Sequence, residues 1–514
     1  MKKLRVPPSP AESRPPIRRI LRGILEHDQF DDWLPDPIYY EDQRINENSV
    51  VNRLEGIFQS GELASPVREI MQVPRAKGQT TPILVLPLDL RVSAHGVIAS
   101  MAPRLSANLL KDKVYGFHFT GSEIPLFSPP GHELGEVFER AIEAAIFTDM
   151  FQIFDVKDFS RKATFDRLEQ ILQRAGARVD ETAFIRQVIA PSDPSLPSID
   201  DAFAFIYNFY LEPVDRTLAE QKINFFRYRD EYFVFDHKTR KTVEQELEAL
   251  GLSSRPVAEF TDLYDKKFDL NEEVSPEEMY QEFVFGRHRG GELIAKYECD
   301  TWSAEEKRCV SETYELTYSL PDLDAVAELF KLPPKPDAFD GVNILPLLRA
   351  IHKQRRLGAL LQPPFNNAPT EFAEYRRRLS KGRAWLFEAL ATGVDRGADW
   401  QIVWTSRLIS DLGPLKDQEV KLLQKILKQK NSGDIAKSEA RLALARSSSV
   451  NAASFWSDPK FVSEGYHTRA SILGASHLAR RGNPQPWNKL DQRTKKAQPH
   501  LSNLLSSYVS EANR

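Results

Sequence analysis

Three acidic residues stand where acids are costly. Asp155 closes the apolar run FQIFDV (151 to 156), and Asp230 with Glu231 interrupts FFRYRDEYFVF (225 to 235) near its centre. A carboxylate at the edge of a core strand is unfavourable unless it is solvated or paired with a cation. Taken singly, each stretch also fits an ordinary strand with a solvated acidic end, or a hairpin with a polar turn. Taken together, two stiff strands that each present carboxylate at one end suit a shared divalent cation. Magnesium prefers hard oxygen ligands and is usually held by one or two carboxylates completed by substrate phosphates. Two such ions about 3.5–4 Å apart can activate a hydroxyl and stabilise a leaving pyrophosphate. The chemistry this suggests is phosphoryl transfer, with Asp155, the Val156 carbonyl and Asp230 as ligands and Glu231 as a further acid. Manganese would suit the same donors.

These side chains need rigid elements behind them. Residues 151 to 156 read as a buried strand, and INFFRY and YFVFD as the arms of a hairpin. Thr164 reads as the cap of a helix whose apolar positions Phe165, Leu168, Ile171 and Leu172 run towards Gly176. Ile17, Ile20, Leu21 and Ile24 predict a short amphipathic helix with an arginine face. Past residue 320 strand signals nearly vanish. Apolar faces recur at Ile344, Leu347, Leu348 and Ile351, at Phe372, Tyr375 and Leu379, and at Val420, Leu423, Ile426 and Leu427. The expected organisation is a basic, extended segment with a short helix (1–49), a mixed α+β region (50–270), a transition segment (271–320) and a helical region (321–514).

Composition narrows the class. The chain has 514 residues, 41% of them apolar and 28% charged, enough for several domains with real cores. No apolar run reaches membrane-spanning length, and the Pro-, Glu- and Ser-bearing N-terminus is not a signal peptide, so the expectation is a cytoplasmic protein. Cys299 and Cys309 form neither a disulfide framework nor a zinc motif. The net charge of -4 hides an asymmetry: from Ala440 onward there are 11 Lys and Arg against 4 Asp and Glu. That tail is either a solvated helical face or a polyanion surface.

Several stretches, in this order, resemble the motifs of bacterial reverse transcriptases. DVKDFSRKATFDRL (155 to 168) resembles the first catalytic motif, an acid at a strand end followed by an aromatic and a helix. Tyr228-Arg229-Asp230-Glu231 resembles the tyrosine-x-Asp-Asp hairpin. LPSIDDAFAFIYNFYLEPVD (196 to 215) keeps Leu196, Pro197, Asn208, Tyr210, Leu211 and Asp215 of the motif between them. VPRAKGQTTPILVLPLDLRV (73 to 92) resembles the fingers pattern, and VYGFHF (114 to 119) the family's tyrosine-glycine segment. The likeness runs from about Pro74 to Leu252. It implies an α+β right-hand polymerase, fingers and palm, followed by an all-α, HEAT-like C-terminal domain, mostly helical overall.

The departures are specific. Ser198-Ile199 stands where the family has Gln-Gly, a glycine that lets backbone approach a base pair closely. Phe203 replaces a serine, and Thr80 or Thr81 a fingers arginine. Ser160 stands where a bulky aromatic excludes a 2′-hydroxyl, with Phe159 next to it. Glu231 replaces the last Asp, a methylene longer and so displaced by about an ångström. Such departures, with a long helical extension, resemble the abortive-infection, defence-associated branch. That resemblance implies single-stranded DNA synthesis from deoxynucleoside triphosphates, often without a template and in some members protein-primed, by homo-oligomers that resist bacteriophage.

On this reading Arg75, Lys77 and Arg91 are candidates for triphosphate contact, with Tyr228, Phe159 and Ser160 shaping the nucleotide site. Tyr39, Tyr40, Tyr466 and Tyr508 are candidate priming hydroxyls, each more simply read as a packing residue. Arg480, Arg481, Lys489, Arg493, Lys495 and Lys496, beside Trp456 and Trp487, are candidates for single-stranded DNA or RNA contact by phosphate neutralisation and base stacking. A non-catalytic nucleic-acid scaffold and a helical-repeat assembly protein are the rival readings.

Overall fold

The computed structural model describes residues 3–7, 15–26, 47–64, 69–74, most of 80–128 and 152–259, 383–446 apart from a short gap, and isolated positions between 128 and 152. The chain forms two compact units, one of residues 1–28, 54–65 and 81–295, the other of 29–53, 66–80 and 296–514. The described residues are mostly helical, with small sheets.

In chain order the elements begin with β1 (Lys3–Arg5), α1 (Ile17–Glu26), α2 (Glu47–Ser60), β2 (Glu62–Ala64), β3 (Glu69–Pro74), β4 (Thr80–Val85) and α3 (Leu88–Ser106). There follow β5 (Val114–Tyr115), β6 (Gln152–Val156), α4 (Phe159–Lys162), α5 (Phe165–Arg174), α6 (Val179–Ile189) and α7 (Asp201–Asn208). A 3-10 turn, Phe209–Leu211, leads to α8 (Glu212–Glu220), β7 (Phe225–Tyr228), β8 (Glu231–Val234), α9 (His237–Ala249) and β9 (Ser254–Glu259). The second unit holds α10 (Arg383–Arg396), α11 (Asp399–Asp411), α12 (Asp417–Lys428) and α13 (Asp434–Arg446).

The core of the first unit is a five-stranded mixed sheet, order β5-β7-β8-β6-β9, with only the β5–β7 pair parallel. Aromatic and β-branched residues fit such a half-buried pleated surface. Phe225, Tyr232, Phe233, Val234, Ile153 and Phe154 are all buried. Helix α3 is sequestered along most of its length and packs against α1, α6 and α7. The helical spacing of Ile17, Ile20, Leu21 and Ile24 is borne out, since α1 buries all four and turns Arg18, Arg19 and Arg22 outward.

Helix starts are partly local. Asp200 caps α7 by accepting from the Phe203 N–H, and Asp236 caps α9 by accepting from the Thr239 N–H at 2.7 Å. Thr164 does occupy the N-cap position of α5, but its hydroxyl makes no capping bond. Its backbone instead forms an isolated bridge with Ser195, so a tertiary contact fixes this entry into the helix.

In the second unit four consecutive helices pack on one another, with α11 buried over nearly its whole length. Trp404 fills its centre, and Arg407 pairs with Glu439 of α13 at 2.7 Å, both sealed from water. Leu423 and Ile426 form the inward stripe of α12. The helices expected around Ile344–Ile351 and Phe372–Leu379, and the 271–320 segment, lie outside the described residues.

Candidate functional site

The β6–β8 register sets Asp155 directly opposite Glu231. On the far side of β8 Glu231 faces Tyr228, and on the far side of β6 Asp155 faces Arg255. Tyr228 in turn neighbours Tyr115 on β5. Paired residues share one face of a sheet, so five strands contribute one row: Tyr115, Tyr228, Glu231, Asp155 and Arg255. Asp230 precedes Glu231 in the two-residue turn, and its carbonyl accepts from the Val156 N–H at 3.0 Å. The two acidic stretches of the sequence therefore end side by side.

The turn that carries Asp230 is conformationally demanding. Arg229, its first central residue, has φ +58°, where a two-residue hairpin usually places glycine. An L side chain there costs roughly 1–2 kcal/mol, which neighbouring contacts must offset. The Arg229 N–H donates to the Tyr115 carbonyl at 3.1 Å, and its guanidinium lies over the Phe117 ring, 5.0 Å from the centroid. Gly116 makes room for it. With φ +90°, a Cβ at Gly116 would come 3.2 Å from Arg229 Cγ.

Beneath the turn lies a sealed polar network. The Arg227 guanidinium donates to both Asp215 carboxylate oxygens, to the side-chain and backbone oxygens of Asn208, and to the Arg229 carbonyl. The Tyr232 hydroxyl donates to Asp215 at 3.0 Å, and Asn208 Nδ2 donates to the Gly116 carbonyl at 2.7 Å. Burial works against the Arg227 charge, but Asp215 outweighs it and raises the Arg227 pKa. Burial, then Asp215, pushes the Tyr232 hydroxyl well above its ordinary value, so it stays a donor. This network fixes the hairpin from below.

The rim behaves differently. Arg255 pairs with Asp155, yet the Arg255 side chain is 51% exposed and that of Asp155 13%. Alongside, the Lys157 N–H donates to the Ser253 carbonyl at 2.8 Å and Lys162 Nζ to the Ser253 hydroxyl at 2.9 Å.

Other candidates fall as follows. Tyr228 is buried in the row. Phe159 opens α4 and meets Tyr210 edge-on, ring centroids 5.5 Å apart; Ser160 is the next residue of that helix. Arg91 stands in a buried ion pair with Asp200 at 3.0 Å, and His95 Nε2 is 2.8 Å from the same oxygen. Although burial alone would raise it, the Asp200 carboxyl is held at about 2 by His95 and Arg91. Arg75, Lys77, Tyr39, Tyr40, Tyr466 and Tyr508 lie outside the described residues, as do Arg480, Arg481, Lys489, Arg493, Lys495 and Lys496.

Among the described residues no three His, Cys, Asp or Glu side chains group closely enough to hold a metal ion unaided. What the sheet end offers is oxygen chemistry: Asp155, Asp230 and the Val156 carbonyl, with Glu231 adjoining. That donor set fits a hard ion whose remaining ligands come from phosphate and water. Carboxylates directly opposite one another are also mutually unfavourable without a cation, and Arg255 supplies one to Asp155.

Arg227 and Arg255 are not among the residues that the sequence singles out. A lone arginine inside FFRY, on a strand otherwise apolar, was the available signal for the first, since a charge there demands a partner. Nothing local marked the second. No protein-family model matches the chain, and no curated protein is detectably similar to it.

Proposed function

We propose that the chain is a metal-dependent DNA polymerase, a nucleotidyltransferase of the kind its motifs resemble among defence-associated bacterial reverse transcriptases. In this reading it makes single-stranded DNA from deoxynucleoside triphosphates without reading a template, primed by a protein hydroxyl, as a cytoplasmic homo-oligomer acting against bacteriophage. The five-stranded sheet would be the palm, the segment before α3 part of the fingers, and α10 to α13 part of a HEAT-like array. One observation carries the reading: acids from two of the resembling motifs, distant in sequence, adjoin at a single sheet end, Asp155 opposite Glu231 and beside Asp230.

Asp155, Asp230 and the Val156 carbonyl would hold the ion. Bound magnesium would neutralise phosphate charge and lower the pKa of the attacking hydroxyl. The chain's own work is positional. The Arg227–Asp215–Asn208 network holds the turn so that Asp230 keeps its place beside β6. Buried Tyr228 stands beside Glu231 in the row, and Phe159, braced on Tyr210, follows just past the end of β6.

The assay uses the full chain with magnesium and each labelled deoxynucleotide, with and without template, followed by protease. Incorporation lost in Asp230→Asn, with the fold unchanged, supports the reading; full activity in that variant removes it. Label released from the protein band by proteolysis supports a protein primer. The Arg255–Asp155 ion pair favours a second reading, a non-catalytic scaffold for single strands in which arginine has replaced the metal. That scaffold would bind single strands in a salt-dependent way and incorporate nothing with magnesium or manganese.

A further inference from the structure

Two arginine–carboxylate pairs lie at the same end of the sheet and differ in one respect. Arg227–Asp215 is sealed, with side-chain exposures of 0% and 2%, and it is hydrogen-bonded to Asn208, Tyr232 and the Arg229 carbonyl. Arg255–Asp155 is at the surface, with half of the Arg255 side chain in water. A sealed pair is fixed, because separating it would strand a buried charge at a cost of several kcal/mol. A solvated pair is worth little and its cation leaves easily. The second pair nonetheless involves the carboxylate that the proposed reading makes the metal ligand.

We propose that Arg255 is an exchangeable counter-ion for Asp155. It neutralises the Asp155–Glu231 opposition when no ion is bound, competes with the divalent cation for Asp155, and once displaced offers its guanidinium to the phosphates that arrive with that cation. Three features support this. Arg255 is register-paired with Asp155 across β6–β9, so its backbone keeps it beside the site whether or not its head group is engaged. Its half-exposed head group can swing into water, and the Asp155 carboxylate it leaves, 13% exposed, then takes the incoming divalent cation as its counter-ion. A guanidinium suits carboxylate and phosphate equally, through the same planar pair of donors. Arg255 is thus a positioning and competing residue, and the inference rests on Asp155 being a cation ligand.

The test measures manganese binding to the full-length protein by the loss of free-ion paramagnetic resonance signal, independently of catalysis. Arg255→Gln is expected to bind manganese roughly two- to fivefold more tightly, the scale of an exposed ion pair. It should also raise KM for the nucleotide, and Arg255→Lys should lie between wild type and Arg255→Gln in both. An unaltered melting temperature identifies these as effects on binding rather than folding. Manganese affinity unchanged or weakened in Arg255→Gln overturns the proposal; if Asp155→Asn still abolishes binding, the polymerase reading survives that failure. If Asp155→Asn and wild type bind manganese alike, both fall together.

Discussion

Arg227 Nη2 lies 2.7 Å from Asp215 Oδ2 with both side chains removed from solvent, directly beneath the turn that carries Asp230. An isolated charge there would be strongly unfavourable, so the pair exists only as a unit. Its partners Asn208 and Tyr232 complete that unit; Asn208 donates onward to the Gly116 carbonyl, and Arg227 itself donates to the Arg229 carbonyl.

Asp215→Ala or Arg227→Ala should therefore cost about 3–5 kcal/mol in urea unfolding, because each leaves the other charge stranded. The double replacement Arg227→Met with Asp215→Leu should recover much of that loss. A double variant as unstable as the singles combined would mean the pair is not the unit described.

Gly116→Ala is expected to destabilise by more than 1 kcal/mol, on the order expected for a residue forced to positive φ. The added Cβ also meets Arg229 Cγ at 3.2 Å, so it presses on the turn. Nucleotide incorporation should fall further than stability accounts for. Equal melting temperatures for Gly116→Ala and wild type would refute the strain.

Removing Glu231's charge should separate stability from activity. Glu231→Gln relieves the like-charge opposition to Asp155 and should leave stability unchanged or raise it by about 0.2–1 kcal/mol. Incorporation should drop in the same variant. A loss of stability would indicate that the contacts Glu231 makes outweigh the repulsion.

Asp200 gives a pH signature. Its folded carboxyl is held at about 2 against an ordinary value of 3.8. A depressed acid contributes stability that is fully present above the unfolded value and is lost as pH falls through the folded one. Here that means a loss of about 2 kcal/mol between roughly pH 4 and pH 2. Asp200→Asn should be less stable than wild type near neutrality, and the gap should close across that window. Parallel pH profiles for the two proteins would show that the His95–Arg91 environment does not hold the charge.

Local sequence specifies only what neighbours along the chain dictate. The repeat at Ile17, Ile20, Leu21 and Ile24 specified α1, the apolar run before Asp155 specified β6, and aromatic arms about a polar dipeptide specified the β7–β8 hairpin. Periodicity carries that information because one buried face repeats every 3.6 or 2 residues. Tertiary structure alone decided the pairings. Arg255 stands opposite Asp155 from one hundred residues away, Arg91 turns to Asp200, and Thr164, in the capping position, is held by Ser195 rather than by its own hydroxyl. Such choices follow from strand order, register and the need of each buried charge for a partner. None of these leaves a periodic trace in the residues nearby.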